Sequence, residues 1–350
     1  MEMIDNQTFT VRQAIAKVAD GRDLSRTEAR QAMAEIMEGQ ATAAQIGSLI
    51  TALRMKGETA EEITGFAELM RLKANRVNTE QNDLLDTCGT GGDGAKTFNI
   101  STASALVAAA GGIRVAKHGN RAMSSASGSA DVLEALGVNI YLDQAQAAEC
   151  LSRIGICFLF AQTYHGSMKH AAGPRKELGI RTVFNLLGPL TNPAGADRQL
   201  LGLFDRSKTE LIAEVMRSLG VSRGLVVGSL DGLDEISVSA PTKITELRDG
   251  SIATKEIAPE ELGLGTYELS ELAGGDAAVN AEIIRRVLKG ERGAARDVVL
   301  ANAGACFYVA GRTDSLRQGV VLAEAVIDSG RAAAKLAELV ACTREASHVS

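Results

Sequence analysis

Residues 86–102 read Asp-Thr-Cys-Gly-Thr-Gly-Gly-Asp-Gly-Ala-Lys-Thr-Phe-Asn-Ile-Ser-Thr. Glycines at 89, 91, 92 and 94 let backbone N–H groups turn inward on an anion, because no Cβ stands in the way. Ser101 and Thr102 then open a helix. Their hydroxyls and the N–H groups of the first turn offer a second anion-binding surface. Gly89, Gly91 and Gly94 satisfy GxGxxG, but a dinucleotide site needs an acidic residue about 20 positions on. Lys117 stands there, and no Asp or Glu falls between Asp93 and Asp131. Ala95, between Gly94 and Lys96, breaks the P-loop pattern GxxxxGK[ST]. Taken alone, the segment also fits a glycine-rich turn that holds no ligand.

A second loop follows at 117–131: Lys-His-Gly-Asn-Arg-Ala-Met-Ser-Ser-Ala-Ser-Gly-Ser-Ala-Asp. Lys117 and Arg121 are positive, and Asp131 is the first acid that could balance them. Ser124, Ser125, Ser127 and Ser129 supply closely spaced hydroxyls. Both loops follow strand-like runs, and the carboxyl ends of strands are where open α/β sheets bind ligands. A solvated basic loop is the plain alternative here, yet a ligand with two separated phosphate groups would explain both loops together. Asp234-Glu235 adds a carboxylate pair. Acidic turns are common, but Mg²⁺ takes one or two protein carboxylates and fills its other positions with water and phosphate oxygens. His118, His165, His170 and Arg175 are weaker candidates by type alone, and Cys88 reads as a small packed residue.

The elements that must carry these loops are legible from periodicity and caps. Helices are expected at about 9–20, 25–38, 43–56 and 59–74, with capping-box spacing at Ser25/Glu28 and Thr59/Glu62. From residue 84 the pattern alternates: strand 84–88, helix 102–110, strand 112–116, helix 131–136, strand 139–142, helix 145–154, strand 157–160. A helix is expected at 176–187 between Pro174 and Pro189, another at 208–219, and a strand at 224–228. Asp249-Gly250 reads as a hairpin turn between 244–247 and 252–255. From Ala277 to about 341 the chain reads as Ala-rich helix. The fold class is therefore α/β, with a small N-terminal helical domain and a larger domain holding a mainly parallel sheet flanked by helices.

Composition narrows the partners. A net charge of −6 over 350 residues argues against a nucleic-acid-binding protein. Trp is absent and aromatics are 3%, so no stacking platform for single strands is evident. The five cysteines form no CxxC pair and suit a reduced, cytoplasmic setting. No signal peptide or membrane-length apolar run is read.

The joint pattern resembles the anthranilate phosphoribosyltransferase family from about residue 5 to about 335. The matching stretches are 35–39, 52–57, 89–93, 99–102, 117–121, 127–137, 175–182, 185–193 and 234–236. The resemblance implies transfer of a phosphoribosyl group from phosphoribosyl pyrophosphate to anthranilate. It implies Mg²⁺ as cofactor and a homodimer. Gly89, Gly92, Asp93, Thr97, Asn99, Ile100, Ser101 and Thr102 would line one wall of the phosphoribosyl pyrophosphate site. Lys117, His118, Gly119, Asn120, Arg121, Ala122, Met123, Ser124, Ser125 and Ser129 would line the other. Ser101, Asp234 and Glu235 would hold the metal, with Asp93 nearby. Gly89, Asn120 and Arg175 would contact anthranilate, with His118, His165, Met168 and Pro189 along its channel. Expected domains are 1–75 with about 168–192, and 80–167 with 193–345. Two alternatives stay open on the residues: a pyrimidine nucleoside phosphorylase, and a non-catalytic relative that binds nucleic acid.

Overall fold

The structure, a computed structural model, describes residues 9–80, 82–122 and 126–346. Four helices come first: α1 Val11–Ala19, α2 Arg26–Met37, α3 Ala43–Lys56 and α4 Ala60–Lys73. Thr10, Ser25, Thr42 and Thr59 each cap one of them, with a Gln or Glu three residues on reaching back. Each such cap stabilises its helix by about 1 kcal/mol. Glu62 does more than cap. Fully buried, it also accepts from the Leu24 N–H at 2.9 Å and pairs with Lys56 Nζ at 3.1 Å, so one carboxylate ties the start of α2 to α4.

The chain then alternates: β1 Leu85–Gly89, α5 Ile100–Ala110, β2 Val115–Gly119, α6 Ser129–Leu136, α7 Gln144–Ile154, β3 Ile156–Phe160 and α8 Ala161–Tyr164. Two helices follow, α9 Lys169–Leu178 and α10 Val183–Leu187. Next come β4 Arg198–Gly202, α11 Thr209–Ser218, β5 Arg223–Ser229, β6 Thr242–Arg248 and β7 Ser251–Ile257. The last four helices are α12 Ala277–Leu288, α13 Ala294–Val309, α14 Leu316–Asp328 and α15 Arg331–Ala346. By contacts the chain divides into two compact units, Met1–Ala74 with His165–Thr191, and Asn75–Tyr164 with Asn192–Ser350.

The second unit is built on one seven-stranded sheet of order β3-β2-β1-β4-β5-β6-β7. The pairings from β3 through β5 are parallel, and β6 and β7 add antiparallel at one edge. The hairpin turn is the expected one: Asp249 and Gly250 have φ of 51° and 78°, as a two-residue turn between twisted strands requires.

Four expectations need correction. Strand β4 lies in the middle of the sheet and was not anticipated. Residues 139–142 form no strand. Ile140 and Leu142 are buried and Tyr141 exposed, which imitates strand alternation, but the Asn139 N–H donates to Thr343 Oγ1 of α15 instead of joining a ladder. The helix expected over 176–187 is two helices. Gly179 ends α9 in the left-handed region at φ 61°, Thr182 opens α10, and Pro174 lies inside α9. Strand β2 starts later than expected because Gly111 and Gly112 are used to end α5; their N–H groups return to its carbonyls.

The core of this unit centres on α5 and α13, which are apolar around most of their circumference and buried accordingly. Where α13 crosses α14, backbone meets backbone. A Cβ at Gly319 would land on the Gly304 carbonyl, and one at Gly304 would come within 2.6 Å of the Val320 nitrogen. Since α13 also holds the acidic turn described below, this crossing supports the site. Gly319→Ala should cost about 1–3 kcal/mol by overpacking. Urea melts would show it as a lower midpoint with an unchanged slope, and an unchanged midpoint would mean the crossing is loose.

Candidate functional site

Strands β1 and β4 are neighbours, and their last residues, Gly89 and Gly202, are register partners. Asp234 sits over both. A Cβ on Gly89 would collide with its carboxylate, and one on Gly202 with its carbonyl oxygen. Both strands thus end in glycine because an acidic turn is laid across them. The Gly91 N–H donates to Asp234 Oδ2 at 2.7 Å. Asp93 lies within hydrogen-bonding reach of the same carboxylate and accepts from the Ala95 N–H at 3.1 Å.

The turn is held from behind. Asn302 on α13, fully buried, accepts from the Ile236 N–H at 3.0 Å and donates to the Ile236 carbonyl at 2.9 Å. Asp231 accepts from Ser237 Oγ at 2.6 Å. Glu235, beside Ile236, accepts from the backbone N–H of Ser101 in the first turn of α5. Lys117, buried in the middle of β2, donates to Ser101 Oγ at 3.2 Å and to the Thr87 carbonyl. The glycine loop, the basic loop and the acidic pair therefore meet around Ser101 and Lys117.

The electrostatics of this cluster are unbalanced. Burial, then the neighbouring Asp93, pushes the Asp234 carboxyl up to about 7. Burial, then Asp234, raises Glu235 well above the carboxylate range. Lys117 opposes the Glu235 shift, but it also faces buried Asp86. Asp86 is otherwise tied to Asn192 Nδ2 at 2.9 Å and to the His118 N–H at 3.0 Å. Burial and the neighbouring Asp93 both disfavour ionised Asp234, so a further cation would stabilise its charge. Among the described residues, no three His, Cys, Asp or Glu side chains form a ready metal cage. A few hard oxygen donors short of positive charge suit Mg²⁺, which keeps much of its water and takes its other ligands from phosphate.

The second loop is pinched shut at its base. Asp131 accepts from the Ala122 and Gly128 N–H groups at 3.0 and 2.9 Å and from Arg121 at 2.8 Å. Arg121 also pairs with Glu134 at 2.6 Å and lies 5.5 Å from the Phe160 ring centroid. Its charge is thus matched within the wall. Asn120 Oδ1 accepts from the Arg121 N–H at 2.8 Å, and Ser129 Oγ donates to the Asn120 carbonyl at 3.3 Å. Gly119 packs against Ser129 too closely for a side chain. Met123, Ser124 and Ser125, also expected in the site, lie outside the described residues.

Of the remaining candidates, Ile100 is core and Thr97 forms an isolated bridge with Ala273. Thr102 is buried, and its Oγ1 has no partner among the described residues. Gly92 is left-handed at φ 73°. His118 is buried at the end of β2. In the helical unit, Arg175 lies over the Phe184 ring, 5.1 Å from its centroid, and burial lowers its affinity for the proton. Burial drives His165 down to about 4, so its ring is neutral at pH 7. Sequence reasoning missed Gly202, Asn302 and Asn192. None lies in a Gly-rich or charged run, and each matters only through a partner distant in sequence.

Two family descriptions match the chain: "Glycosyl transferase family, helical bundle domain" over residues 12–74 and "Glycosyl transferase family, a/b domain" over 81–333. The chain is 55% identical over 333 residues to an anthranilate phosphoribosyltransferase of Acetivibrio thermocellus, covering 95% of this chain and 96% of that one. It superposes on the anthranilate phosphoribosyltransferase of Thermus thermophilus with a TM-score of 0.90 at 45% identity, covering 95% and 99% of the two chains. The Saccharomyces cerevisiae enzyme of that name, solved in complex with PRPP and Mg, gives a TM-score of 0.88 at 28% identity, covering 96% and 98%.

The charge imbalance has a signed consequence. A carboxyl raised in the folded state to about 7 from 3.8 binds its proton more tightly folded than unfolded. Its contribution to stability is complete below about pH 4 and is lost as pH rises through 7. In chelator at pH 8, Asp234→Asn should therefore melt several degrees above the parent protein. Mg²⁺ should raise the parent's midpoint and leave the variant's unmoved. A variant that melts lower at pH 8 would show that the buried charge is already compensated.

Proposed function

The chain belongs to the glycosyl transferase family through both its helical-bundle and a/b domains, and within it to the anthranilate phosphoribosyltransferases; on that footing we propose how its residues transfer the phosphoribosyl group of phosphoribosyl pyrophosphate to the amine of anthranilate. The products are N-(5-phosphoribosyl)anthranilate and pyrophosphate, the second step of tryptophan biosynthesis from chorismate. One observation supports the assignment of residues above others: loop amides, a buried ammonium and the carboxylates of Asp234 and Glu235 converge at the ends of parallel strands.

Displacement at C1 of the ribose builds positive charge on the ring and negative charge on the departing pyrophosphate, as in other glycosyl transfers. Asp234, Glu235 and Ser101 would hold Mg²⁺, which when bound would supply charge neutralisation on the phosphate oxygens. Lys117 and the glycine loop bind the same leaving group, and they need little reorganisation because the protein already fixes them. Thr97, Asn99 and Thr102 with His118–Ala122 and Ser129 form the two walls around the donor. Gly89 and Asn120 are proposed anthranilate contacts, and the planar guanidinium of Arg175 is of the kind that takes a carboxylate. The neutral aromatic amine is already a nucleophile, so positioning carries much of the rate and no strong base is required. His165, Met168 and Pro189 line the acceptor's approach. No helix among the described residues is long and apolar enough to cross a membrane. We place the protein in the cytoplasm as a homodimer.

Anthranilate fluorescence should fall only when protein, phosphoribosyl pyrophosphate and Mg²⁺ are all present, and the Asp234→Ala/Glu235→Ala double variant should abolish the decline. Arg175→Ala should raise the KM for anthranilate by tenfold or more, since a charged hydrogen bond contributes about 1.5–3 kcal/mol. An unchanged KM would remove Arg175 from the acceptor site. Phosphorolysis of thymidine or uridine in place of the fluorescence decline would overturn the reaction itself.

A further inference from the structure

Asn99 occupies the N-cap of α5, yet its side chain caps nothing. An Asn at that position ordinarily satisfies the exposed N–H groups of its own helix. Here its amide is diverted. Nδ2 donates to the Ser127 carbonyl in the basic loop at 3.1 Å, and Oδ1 accepts from Asn280 Nδ2 at 3.0 Å. Asn280 is one turn into α12 and 1% exposed. Its own Oδ1 accepts from the Gly275 N–H at 2.7 Å. A relay of hydrogen bonds thus runs Gly275, Asn280, Asn99, Ser127, across three segments distant in sequence.

The segment before α12 lies along the exit of the glycine loop. The Phe98 N–H donates to the Leu272 carbonyl at 3.2 Å, and the Gly274 N–H to the Lys96 carbonyl at 2.9 Å. The approach is tight enough to demand glycine. A Cβ on Gly274 would stand 2.7 Å from the Phe98 nitrogen and Cα and 2.5 Å from Asn280 Oδ1. Two features then make Asn280 more than packing. A buried amide is stable only when its donors and acceptor are matched, and the partner it fixes is the residue that joins the two phosphate loops. Rotating the Asn99 amide would set carbonyl against carbonyl at Ser127, so the orientation of Asn280 sets that of Asn99.

We propose that Asn280 is a positioning residue for the donor substrate: by fixing the amide of Asn99, it holds the glycine loop and the basic loop at the spacing that lets one phosphoribosyl pyrophosphate bridge them. The proposal rests on the function given above and touches only the donor side of it. None of the proposed acceptor contacts, nor Asp234 and Glu235, is itself a member of this relay.

The isosteric change Asn280→Asp tests it. The carboxylate still accepts from Gly275 but cannot donate to Asn99, whose Oδ1 it repels. The KM for phosphoribosyl pyrophosphate should rise about tenfold, the loss of one buried hydrogen bond, while the KM for anthranilate stays within about twofold. Amide hydrogen exchange in the free protein should accelerate in residues 96–102 and 126–129 together. Equal changes in both KM values in step with a lowered melting temperature would overturn the proposal in favour of simple packing. So would faster exchange confined to residues 272–280. If the Asp variant does not fold, Asn280→Ser carries the same measurements. If the parent protein consumes no donor, the functional reading fails, and the exchange data alone decide whether the relay couples the two loops.

Discussion

The structure around the site follows from one electrostatic constraint, a pair of adjacent carboxylates, Asp234 buried and Glu235 half-buried, over the ends of two parallel strands with too little positive charge beside them. Asp234 and Glu235 are held where water would not choose to leave them. Lys117 is shared with Asp86, and the Gly91 and Ser101 N–H groups supply only partial charges. A divalent cation with a polyphosphate is what such a site lacks. Strands β1 and β4 end in glycine because the acidic turn crosses them, and Asn302 and Asp231 are occupied keeping that turn in place.

Rigidity in the surrounding loops serves the same end. Helix α5 is buried along nearly its whole length, so Ser101 in its first turn is rooted in the core. The base of the basic loop is closed by Asp131, which collects two backbone N–H groups and the Arg121 guanidinium. Asp86 and Asn192 tie β1, the carbonyl of Ala116 in β2 and the His118 N–H into one buried network. Hydrogen-bond donors fixed in this way can meet developing charge with little rearrangement. The left-handed glycines at 91, 92 and 94 supply the curvature that no other residue adopts as cheaply.

Local chemistry was legible in the sequence, and long-range partnership was not. The capping boxes at Ser25 and Thr59, the Asp249-Gly250 turn and the glycine-rich loop all announce themselves through side-chain spacing or backbone preference. The sheet's central strand β4 did not, because its five residues follow the turn around Pro193-Ala194-Gly195 and carry too short an apolar run to stand out. Residues 139–142 misled for the opposite reason: their burial alternates as in a strand while their N–H groups go to α15 and to the Asn139 side chain. The helix expected at 176–187 is broken because Gly179 adopts the left-handed conformation that ends α9. Gly202 and Asn280 are silent in sequence, since their significance lies wholly in Asp234 and Asn99, brought to them by the fold.

The most direct test of this account is calorimetric titration of the protein with phosphoribosyl pyrophosphate near pH 7, with Mg²⁺ and with chelator, in buffers of differing ionisation enthalpy. If the acidic pair is left short of positive charge, binding with Mg²⁺ should be tight and should release protons to the buffer. Binding in chelator should be weaker by at least tenfold, and Asp234→Asn should reduce the proton release. Equal affinity with and without Mg²⁺, and no proton release in either, would contradict the claim that this electrostatic deficit organises the site.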